Sequence, residues 1–372
     1  MISNIKHFFS NLFYGTPSEP TQVLSIAMLS NLCDESSNIL VSPYSTYAIL
    51  LMVASILNNP TRKQISDVLR MPSDTTPKDI LTNLRNLISQ VEQKTNNAVI
   101  RGANTLWPNK NKEFDAEFFK PLIEFLGIEI NPIEFNQEGI SLINQKVAEV
   151  TNGLIQNLIQ ADEVEPNSDI ILTNAIYFKA EWQNKFDPEG TSDYPFNLFE
   201  GTKTTSFMKD QFTIPYFEDD DCQVISLPYV NDCSLLIFLP KNKDLQSFRS
   251  LKSLLGTKKF EEYVQNLNEV KINVVIPKFK CLWESQHLRE MLEAIGIRLL
   301  FDLQKPKISR VVHKAFLEVY EEGTTAAAAT GIETLGLPEI IEKFFVADHP
   351  FIYELVHKNK TVLFAGEFVS PE

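Results

Sequence analysis

Apolar residues recur at helical spacing through the first half of the chain. Segments 21–32 and 46–57 are apolar nearly all round, which is typical of helices with little solvent contact. Pro60–Thr61 and Pro77 stand where helices commonly begin, each before apolar residues at three- and four-residue intervals. The pattern predicts helices at 21–32, 46–57, 59–71, 77–93, 115–127 and 138–159.

From about Asp169 the pattern changes to short runs rich in Ile, Val, Phe and Tyr, bounded by Pro, Asn and Asp. Such runs are typical of strands, several of them buried on both faces. The predicted strands are 169–182, 223–230, 233–240, 269–280, 315–320, 351–356 and 361–369, with one helix at 285–297. Helices first and strands later, without strict alternation, favour an α+β fold. Because no linker rich in Pro, Gly and Ser divides the chain, we predict one domain over 1–372.

Composition and charge limit the kinds of partner. The 372 residues are 44% hydrophobic, which suffices for a large core. The net charge of −14 disfavours nucleic acid as a partner. No run of apolar residues is long enough to predict a membrane span, and the N-terminus lacks the continuous apolar stretch of a secretory signal. We therefore expect a cytoplasmic protein, with unconventional secretion left open.

The sequence offers no recognisable catalytic or metal-binding motif. Its five histidines stand in no HExxH arrangement, and neither GxSxG nor GxGxxG occurs. Gly331 and Gly336 have the spacing of a phosphate-binding loop, but Leu337-Pro338 follow where Lys and Ser or Thr are required. We therefore expect no enzyme, metal or cofactor. The four cysteines, Cys33, Cys222, Cys233 and Cys281, form no CxxC pair and are predicted to be buried thiols.

The segment from Glu321 to Ile341 is unusual because small residues separate two strand-like runs. Its first ten residues contain no proline, so each of them could pair in a sheet. In extended form, one face carries only Thr324, Ala326, Ala328 and Thr330. Side chains of this size could enter a gap between packed strands, whereas bulky or charged ones could not. A short helix and a slack linker are the alternative interpretations of this segment.

This segment resembles the hinge of the reactive loop in the serpin family. The hinge residues are Glu321, Glu322, Gly323, Thr324, Thr325, Ala326, Ala327, Ala328, Ala329 and Thr330. Further segments match in the family's order: 38–45, 103–107, 144–153, 172–182, 227–229, 237–240, 276–279, 312–319, 348–351 and 363–368. The resemblance spans nearly the whole chain. It implies a serpin fold with three β-sheets, eight to nine helices and an exposed reactive loop at 321–341.

Three departures from the family pattern concern turns and packing rather than the hinge. Residues 55–61 replace a glycine-rich turn after the central helix. Lys146 stands where a tryptophan is common, and Ala180 where a glycine is common.

The resemblance implies a protease inhibitor that acts as a suicide pseudosubstrate. A target endopeptidase attacks the loop and becomes acylated, and the loop then inserts into a sheet and traps a covalent 1:1 complex. The native fold is accordingly metastable, and the free protein is expected to be monomeric. The alternative within the family is a non-inhibitory chaperone, carrier or storage protein, whose hinge usually carries bulky, charged or proline residues.

The family's spacing places the reactive bond at Leu337-Pro338. A leucine suits a chymotrypsin-like serine protease, although proline after the bond hinders cleavage. The second candidate is the Leu335-Gly336 bond. The third is cleavage after Gly336 by a papain-like cysteine protease, with Leu335 in an apolar subsite.

The resemblance also implies two polar contacts that control loop insertion. One is a sheet-opening cluster of Ser42, Ser45, Asn174 and His313, and the other is an ion pair between Lys278 and Glu321. Heparin is not an expected ligand, because the basic residues of the corresponding helix are spread among acids. These residues are Lys78, Arg85 and Lys94, with Arg101 just beyond the helix.

Overall fold

The computed structural model describes residues 19–32, 35–57, 59–92, 98–115, 117–128, 130–165, 168–256, 259–285, 288–303, 306–324, 342–358 and 360–371. Within these ranges the α-helices are α1 (Pro20–Asn31), α2 (Pro43–Ile56), α3 (Asn59–Val68), α4 (Pro77–Val91), α5 (Lys120–Leu126), α6 (Gln137–Val150), α7 (Leu245–Leu255), α8 (Lys259–Gln265) and α9 (Leu288–Ala294). The first half is mainly helical, as the apolar spacing predicts.

The strands belong mostly to the second half of the chain. They are β1 (Ile39–Val41), β2 (Ala98–Pro108), β3 (Ile170–Glu181), β4 (Ser192–Asn197), β5 (Thr202–Glu218), β6 (Cys222–Pro228), β7 (Cys233–Pro240), β8 (Asn268–Pro277), β9 (Phe279–Ser285), β10 (Ile308–Val319), β11 (Gly323–Thr324), β12 (Lys343–Val346), β13 (Phe351–His357) and β14 (Thr361–Phe368). The α+β class is therefore confirmed.

The helix starts follow ordinary capping chemistry. Glu19 accepts a hydrogen bond from the backbone N–H of Thr21 (2.8 Å) at the start of α1. Thr76 and Asp79 form a reciprocal capping box ahead of α4. The predicted helix over 138–159 is too long, because α6 ends at Val150. Asn152 (φ 58°) and Gly153 (φ 80°) adopt the left-handed conformation just beyond that end, which terminates the helix.

Within the described ranges the strands form two hydrogen-bonded sheets, where the resemblance implies three. One sheet has nine strands in the order β1-β14-β13-β7-β6-β5-β8-β12, and β4 also pairs with β5. The other has five strands in the order β11-β3-β10-β9, and β2 also pairs with β3. The long strand β5 pairs with β6 through 216–218 and with β8 through 207–216. A single continuous strand thus joins two of the expected sheets.

The predicted strand over 269–280 is two strands in different sheets. It divides after Pro277, where β8 of the nine-stranded sheet ends and β9 of the five-stranded sheet follows. At the junction, the backbone N–H of Lys278 donates to the carbonyl of Ser206 (2.8 Å). The chain therefore crosses between the two sheets at a point beside the loop hinge.

The core fills the space on both faces of the five-stranded sheet. Its inner face packs against the nine-stranded sheet, with Ile176 and Phe178 buried among residues of β6, β7 and β14. Helix α6 covers its outer face, where Ile143 and Val147 pack against β3 and β10. No described helix has the length and apolar character to span a membrane.

Candidate functional site at the loop hinge

The hinge begins where the chain leaves β10 and turns back onto β3. Tyr320 and Gly323 exchange two backbone hydrogen bonds of 3.1 Å, which closes a tight turn. The two residues of β11 then run antiparallel to β3, with Gly323 opposite Glu181 and Thr324 opposite Ala180. The hinge residues Gly323 and Thr324 are therefore already part of the five-stranded sheet.

Glycine is required at position 323 for two reasons. Its φ of 129° is unfavourable for any residue with a side chain. A Cβ at this position would lie 2.3 Å from the carbonyl oxygen of Ala180 and 2.6 Å from the backbone nitrogen of Trp182. The close approach of the turn to β3 thus depends on the missing side chain.

Backbone hydrogen bonds hold the residues before β11. The carbonyl of Glu321 accepts from the N–H of Phe186, and the carbonyl of Glu322 accepts from the N–H of Trp182, both at 2.9 Å. The Trp182 indole also donates to the carbonyl of Tyr320 (2.8 Å). The end of β3 and the segment after it therefore fix the direction in which the loop leaves the sheet.

The structure brings Lys278 and Glu321 together as the resemblance implies. The Lys278 ammonium lies 3.0 and 3.1 Å from the two carboxylate oxygens of Glu321. The Thr191 hydroxyl donates to the same carboxylate at 2.7 Å. Burial raises the pKa of Glu321, but the hydrogen bonds from Thr191 and Lys278 outweigh this effect and hold the pKa below its usual value. Since the Lys278 side chain is 41% exposed, its pairing contributes only about 0–1 kcal/mol to stability.

The sheet-opening cluster lies where β3 and β10 pair. His313 and Asn174 are neighbours in the parallel β3–β10 ladder, and the His313 Nδ1 contacts the amide oxygen of Asn174. The Ser45 hydroxyl donates to that same oxygen (2.5 Å). The Ser42 hydroxyl accepts from the N–H of Ser45 (3.2 Å) and donates to the carbonyl of Leu363 (2.7 Å). The cluster thus links α2, β3, β10 and β14.

The contacts of His313 determine its protonation. The backbone N–H of Ser42 points at Nε2 (3.0 Å) and can only donate, so Nε2 carries no proton. The proton of the neutral ring is therefore on Nδ1, which donates to Asn174. The side chain is fully buried, and this burial lowers the pKa of His313 to about 3. The cluster is consequently a neutral network near pH 7.

The reactive-bond candidates lie outside the described residues. This applies to Leu335, Gly336, Leu337 and Pro338, and to the hinge residues from Thr325 to Thr330. Cys222, Cys233 and Cys281 are buried thiols, which confirms that prediction for these three; Cys33 is not described. Within the described ranges, no group of acidic, His or Cys side chains could hold a metal ion.

Sequence reasoning missed the residues that hold the hinge from the other side. Thr191 follows a short 3-10 helix (Pro188–Gly190), and Phe186 precedes it. Neither residue has a local pattern that points to the hinge, since their contacts join positions more than 100 residues apart in sequence. Trp182 ends a predicted strand and a segment that matches the family, but neither feature predicts its hydrogen bonds to Tyr320 and Glu322.

Comparison with known proteins gives consistent matches. The family model described as Serpin (serine protease inhibitor) matches residues 19–371. The leukocyte elastase inhibitor of Sus scrofa is 34% identical over 363 residues, which covers 92% of this chain and 95% of that protein. The Homo sapiens protein of the same name is 32% identical, with 94% and 96% covered. The structure of Serpin48 from Tenebrio molitor, described as a highly specific serpin, aligns with a TM-score of 0.79 at 26% identity, covering 95% of this chain and 96% of that one.

Proposed function

The chain belongs to the serpin family of serine protease inhibitors, and from this premise we propose that it traps an endopeptidase by inserting its reactive loop between β3 and β10. The observation that carries the proposal is the position of β11. Its two residues pair antiparallel with β3, directly beyond the stretch where β3 pairs with β10. A loop that continued in the same direction would have to replace β10 as the partner of β3.

The register of β11 predicts where each hinge residue would go. In an antiparallel ladder, each step forward on one strand is a step back on the other. Continuing from Thr324 opposite Ala180 would pair Ala326 with Phe178, Ala328 with Ile176, and Thr330 with Asn174. Thr330 would then occupy the place beside Asn174 that His313 holds in the closed sheet.

The same register accounts for the small side chains of the hinge. Directly opposite residues in a ladder point to the same face. Ile176, Phe178 and Ala180 all lie in the buried core between the two sheets. Thr324, Ala326, Ala328 and Thr330 would therefore enter that core, where added volume or charge is costly. We interpret their size as the condition for rapid insertion.

The closed β3–β10 ladder provides the barrier that insertion must overcome. Its parallel pairing extends from Ile170 with Ile308 to Tyr177 with Phe316. Insertion would break these hydrogen bonds and form two new antiparallel ladders, so the cleaved, inserted state gains pairing that the native state lacks. The native protein is then metastable and kinetically trapped. A loop of 324–337 spans about 46 Å when extended at about 3.3 Å per residue, enough to cross the sheet.

We propose a chymotrypsin-like serine protease as the target, with Leu337-Pro338 as the reactive bond. The relatives named leukocyte elastase inhibitors support a serine protease target. Because Pro338 hinders attack, Leu335-Gly336 remains the second candidate, and cleavage after Gly336 by a papain-like cysteine protease the third. The covalent 1:1 complex, the monomeric state and the cytoplasmic location belong to this proposal as predictions.

A panel of purified proteases tests the proposal. The protein is incubated with chymotrypsin, leukocyte elastase and papain, and the products are separated by denaturing electrophoresis. We expect an SDS-stable band at the summed mass with at least one serine protease. Mass spectrometry of the released C-terminal fragment then identifies the reactive bond. Clean loop cleavage by every protease without a stable complex would contradict inhibition and favour a non-inhibitory role.

A further inference from the structure

The strand that follows the predicted reactive loop exposes apolar side chains. β12 begins at Lys343, two residues beyond the end of the loop at Ile341. Within the described ranges it is the last strand at its end of the nine-stranded sheet. Phe345 is fully buried, whereas Phe344 and Val346 are 53% and 36% exposed. The edge of the sheet thus leaves two apolar side chains of β12 in solvent.

The pairing of three strands places these side chains on one continuous face. Phe344 lies opposite Asn273 of β8, which in turn lies opposite Gln211 of β5. The Gln211 amide donates a hydrogen bond to the amide oxygen of Asn273 (3.2 Å), so the two side chains share a face. Val346 lies opposite the half-buried Val275 in the neighbouring row. We call this surface of β12, β8 and β5 the β12 face.

The β12 face continues to a second exposed aromatic side chain. The row of Val275 extends to Lys209 of β5. The Lys209 ammonium lies 3.5 Å from the centroid of the Tyr194 ring and donates to the Ser192 hydroxyl (2.8 Å). Tyr194 itself is 48% exposed. Because this cation is already held and the face is an open sheet, it offers apolar and aromatic contact to a protein surface rather than a cavity for a small ligand.

The length of chain before β12 identifies the protein that would cover this face. Six residue steps separate Leu337 from Lys343, and a fully extended chain of that length reaches at most about 22 Å. A protease domain of about 200 residues has a radius of gyration of about 16 Å. A protease with Leu337 in its active site is therefore wide enough to cover the start of β12. The second candidate bond, after Leu335, lengthens the reach by only two residues.

We propose that the β12 face is a docking surface for an apolar part of the target protease, beside the subsites that hold the chain after the reactive bond. This inference rests on the proposed function. An uncleaved bond is continuous with β12, so the protease that holds it is kept beside Phe344 and Val346. An apolar protein surface there would bury both side chains.

The chemistry of cleavage limits this contact to the first encounter. When the protease serine forms an ester with the Leu337 carbonyl, the Leu337-Pro338 bond breaks. Pro338 then leaves as a protonated amine on the segment that stays attached to β12, whereas the protease stays on the segment that inserts. The β12 face therefore speeds association and takes no part in the trapping that follows.

The probe is the protease that forms a stable complex or, if none does, the one that cleaves the loop. Its catalytic nucleophile is replaced by alanine, and its affinity for the full-length protein is measured by surface plasmon resonance. Phe344→Ser removes the apolar contact, and Phe344→Leu keeps it. Ile123→Ser is the matched control, because Ile123 is a 49% exposed apolar residue on α5. The active protease gives the rate constant of inhibition and the ratio of trapped to cleaved product, and thermal unfolding establishes that each variant is folded.

We expect Phe344→Ser to weaken binding of the inactive protease at least about fivefold and to slow inhibition by a similar factor, as for the loss of one buried apolar anchor. The ratio of trapped to cleaved product should not change, and Phe344→Leu and Ile123→Ser should behave like wild type. Equal affinity of wild type and Phe344→Ser would overturn the proposal. So would a change in the oligomeric state of Phe344→Ser in analytical ultracentrifugation, which would assign the face to contact between copies of this chain. Weaker binding by Phe344→Ser when wild type traps no active protease would support the docking surface and contradict the proposed trapping.

Discussion

His313 and Asn174 lie side by side on the parallel strands β10 and β3, and the imidazole Nδ1 donates to the amide oxygen of Asn174. Both side chains are fully buried. Extension of the β11 register would bring Thr330 to the position beside Asn174. The same asparagine would thus pair with His313 in the closed sheet and with the inserted loop in the open one.

Burial of His313 predicts that acid destabilises the native state. The folded pKa of about 3 lies below the ordinary value of 6.5, so between these values the unfolded chain binds the additional proton. Stability should therefore fall as the pH drops from about 6.5 toward 3. At pH 5 the titration of this residue lowers the free energy of unfolding by about 2 kcal/mol, from about 1.4 kcal/mol per pKa unit.

Urea unfolding of wild-type protein and His313→Gln at pH 7.5 and pH 5 measures this effect. Between pH 7.5 and pH 5, the free energy of unfolding of the wild-type protein should fall relative to that of the variant, because glutamine does not titrate. A difference that is the same at both pH values would contradict a neutral, buried His313.

Glu354 should produce a pH dependence of the opposite sign. Its carboxyl is buried, accepts hydrogen bonds from Ser25 (2.5 Å) and Gln22 (3.2 Å), and faces the carboxylate of Glu19. Burial raises the pKa of Glu354 to about 7. Because the folded state binds the proton more tightly than the unfolded chain, stability should be lost as the pH rises from about 4.5 through 7.

Glu354→Gln is the matched variant, since it keeps the shape but carries no charge. Among the described residues, two buried oxygens, Oε2 of Glu354 and Oε1 of Gln22, have no hydrogen-bond partner. We expect the variant to gain roughly 2–3 kcal/mol relative to wild type between pH 5 and pH 8. The midpoint of urea unfolding measures the gain. A wild-type protein that loses no stability relative to the variant over this range would show that Glu354 is ionised throughout.

Gly323→Ala should disturb the turn from which the loop starts. The added Cβ would overlap backbone atoms of Ala180 and Trp182, so the turn must shift away from β3. We expect destabilisation of more than about 1 kcal/mol together with a higher fraction of protease that escapes after loop cleavage. Gly201→Ala is the control, because Gly201 also has a positive φ (85°) but its added Cβ would meet no atom within 4 Å. Equal effects of the two substitutions on escape would contradict a specific role of the turn.

The hinge prediction depends on a local sequence pattern, which several surrounding elements lack. The small residues from Thr324 to Thr330 form a continuous local signal, and the family order of the other segments supports it. Strands β4 and β5 escaped prediction because many of their residues are polar and exposed, with burial on alternate positions only at the end of β5. The early end of α6 depends on two left-handed residues that apolar spacing does not reveal.

Buried polar contacts set a further limit on prediction. Lys278 and Glu321 were paired by resemblance alone, and Thr191 completes that contact from a position 130 residues before Glu321. Glu354 stands in a strand whose other side chains are almost all apolar, and nothing local indicates that Gln22 and Ser25 accompany it. Such contacts are decided by the packing of distant elements, which a single sequence does not specify.

The central claim, that the hinge enters the sheet in the register of β11, is tested most directly by a pair of arginine substitutions. Thr324→Arg places the charge on the face that would enter the core beside Ala180. Thr325→Arg places it on the opposite face, beside the half-buried Lys179. The measurement is the ratio of trapped to cleaved product with the protease that wild-type protein inhibits. We predict that Thr324→Arg is cleaved at a normal rate but traps at least about tenfold less protease, whereas Thr325→Arg remains an inhibitor. Stable complexes at the wild-type ratio with Thr324→Arg would contradict the account.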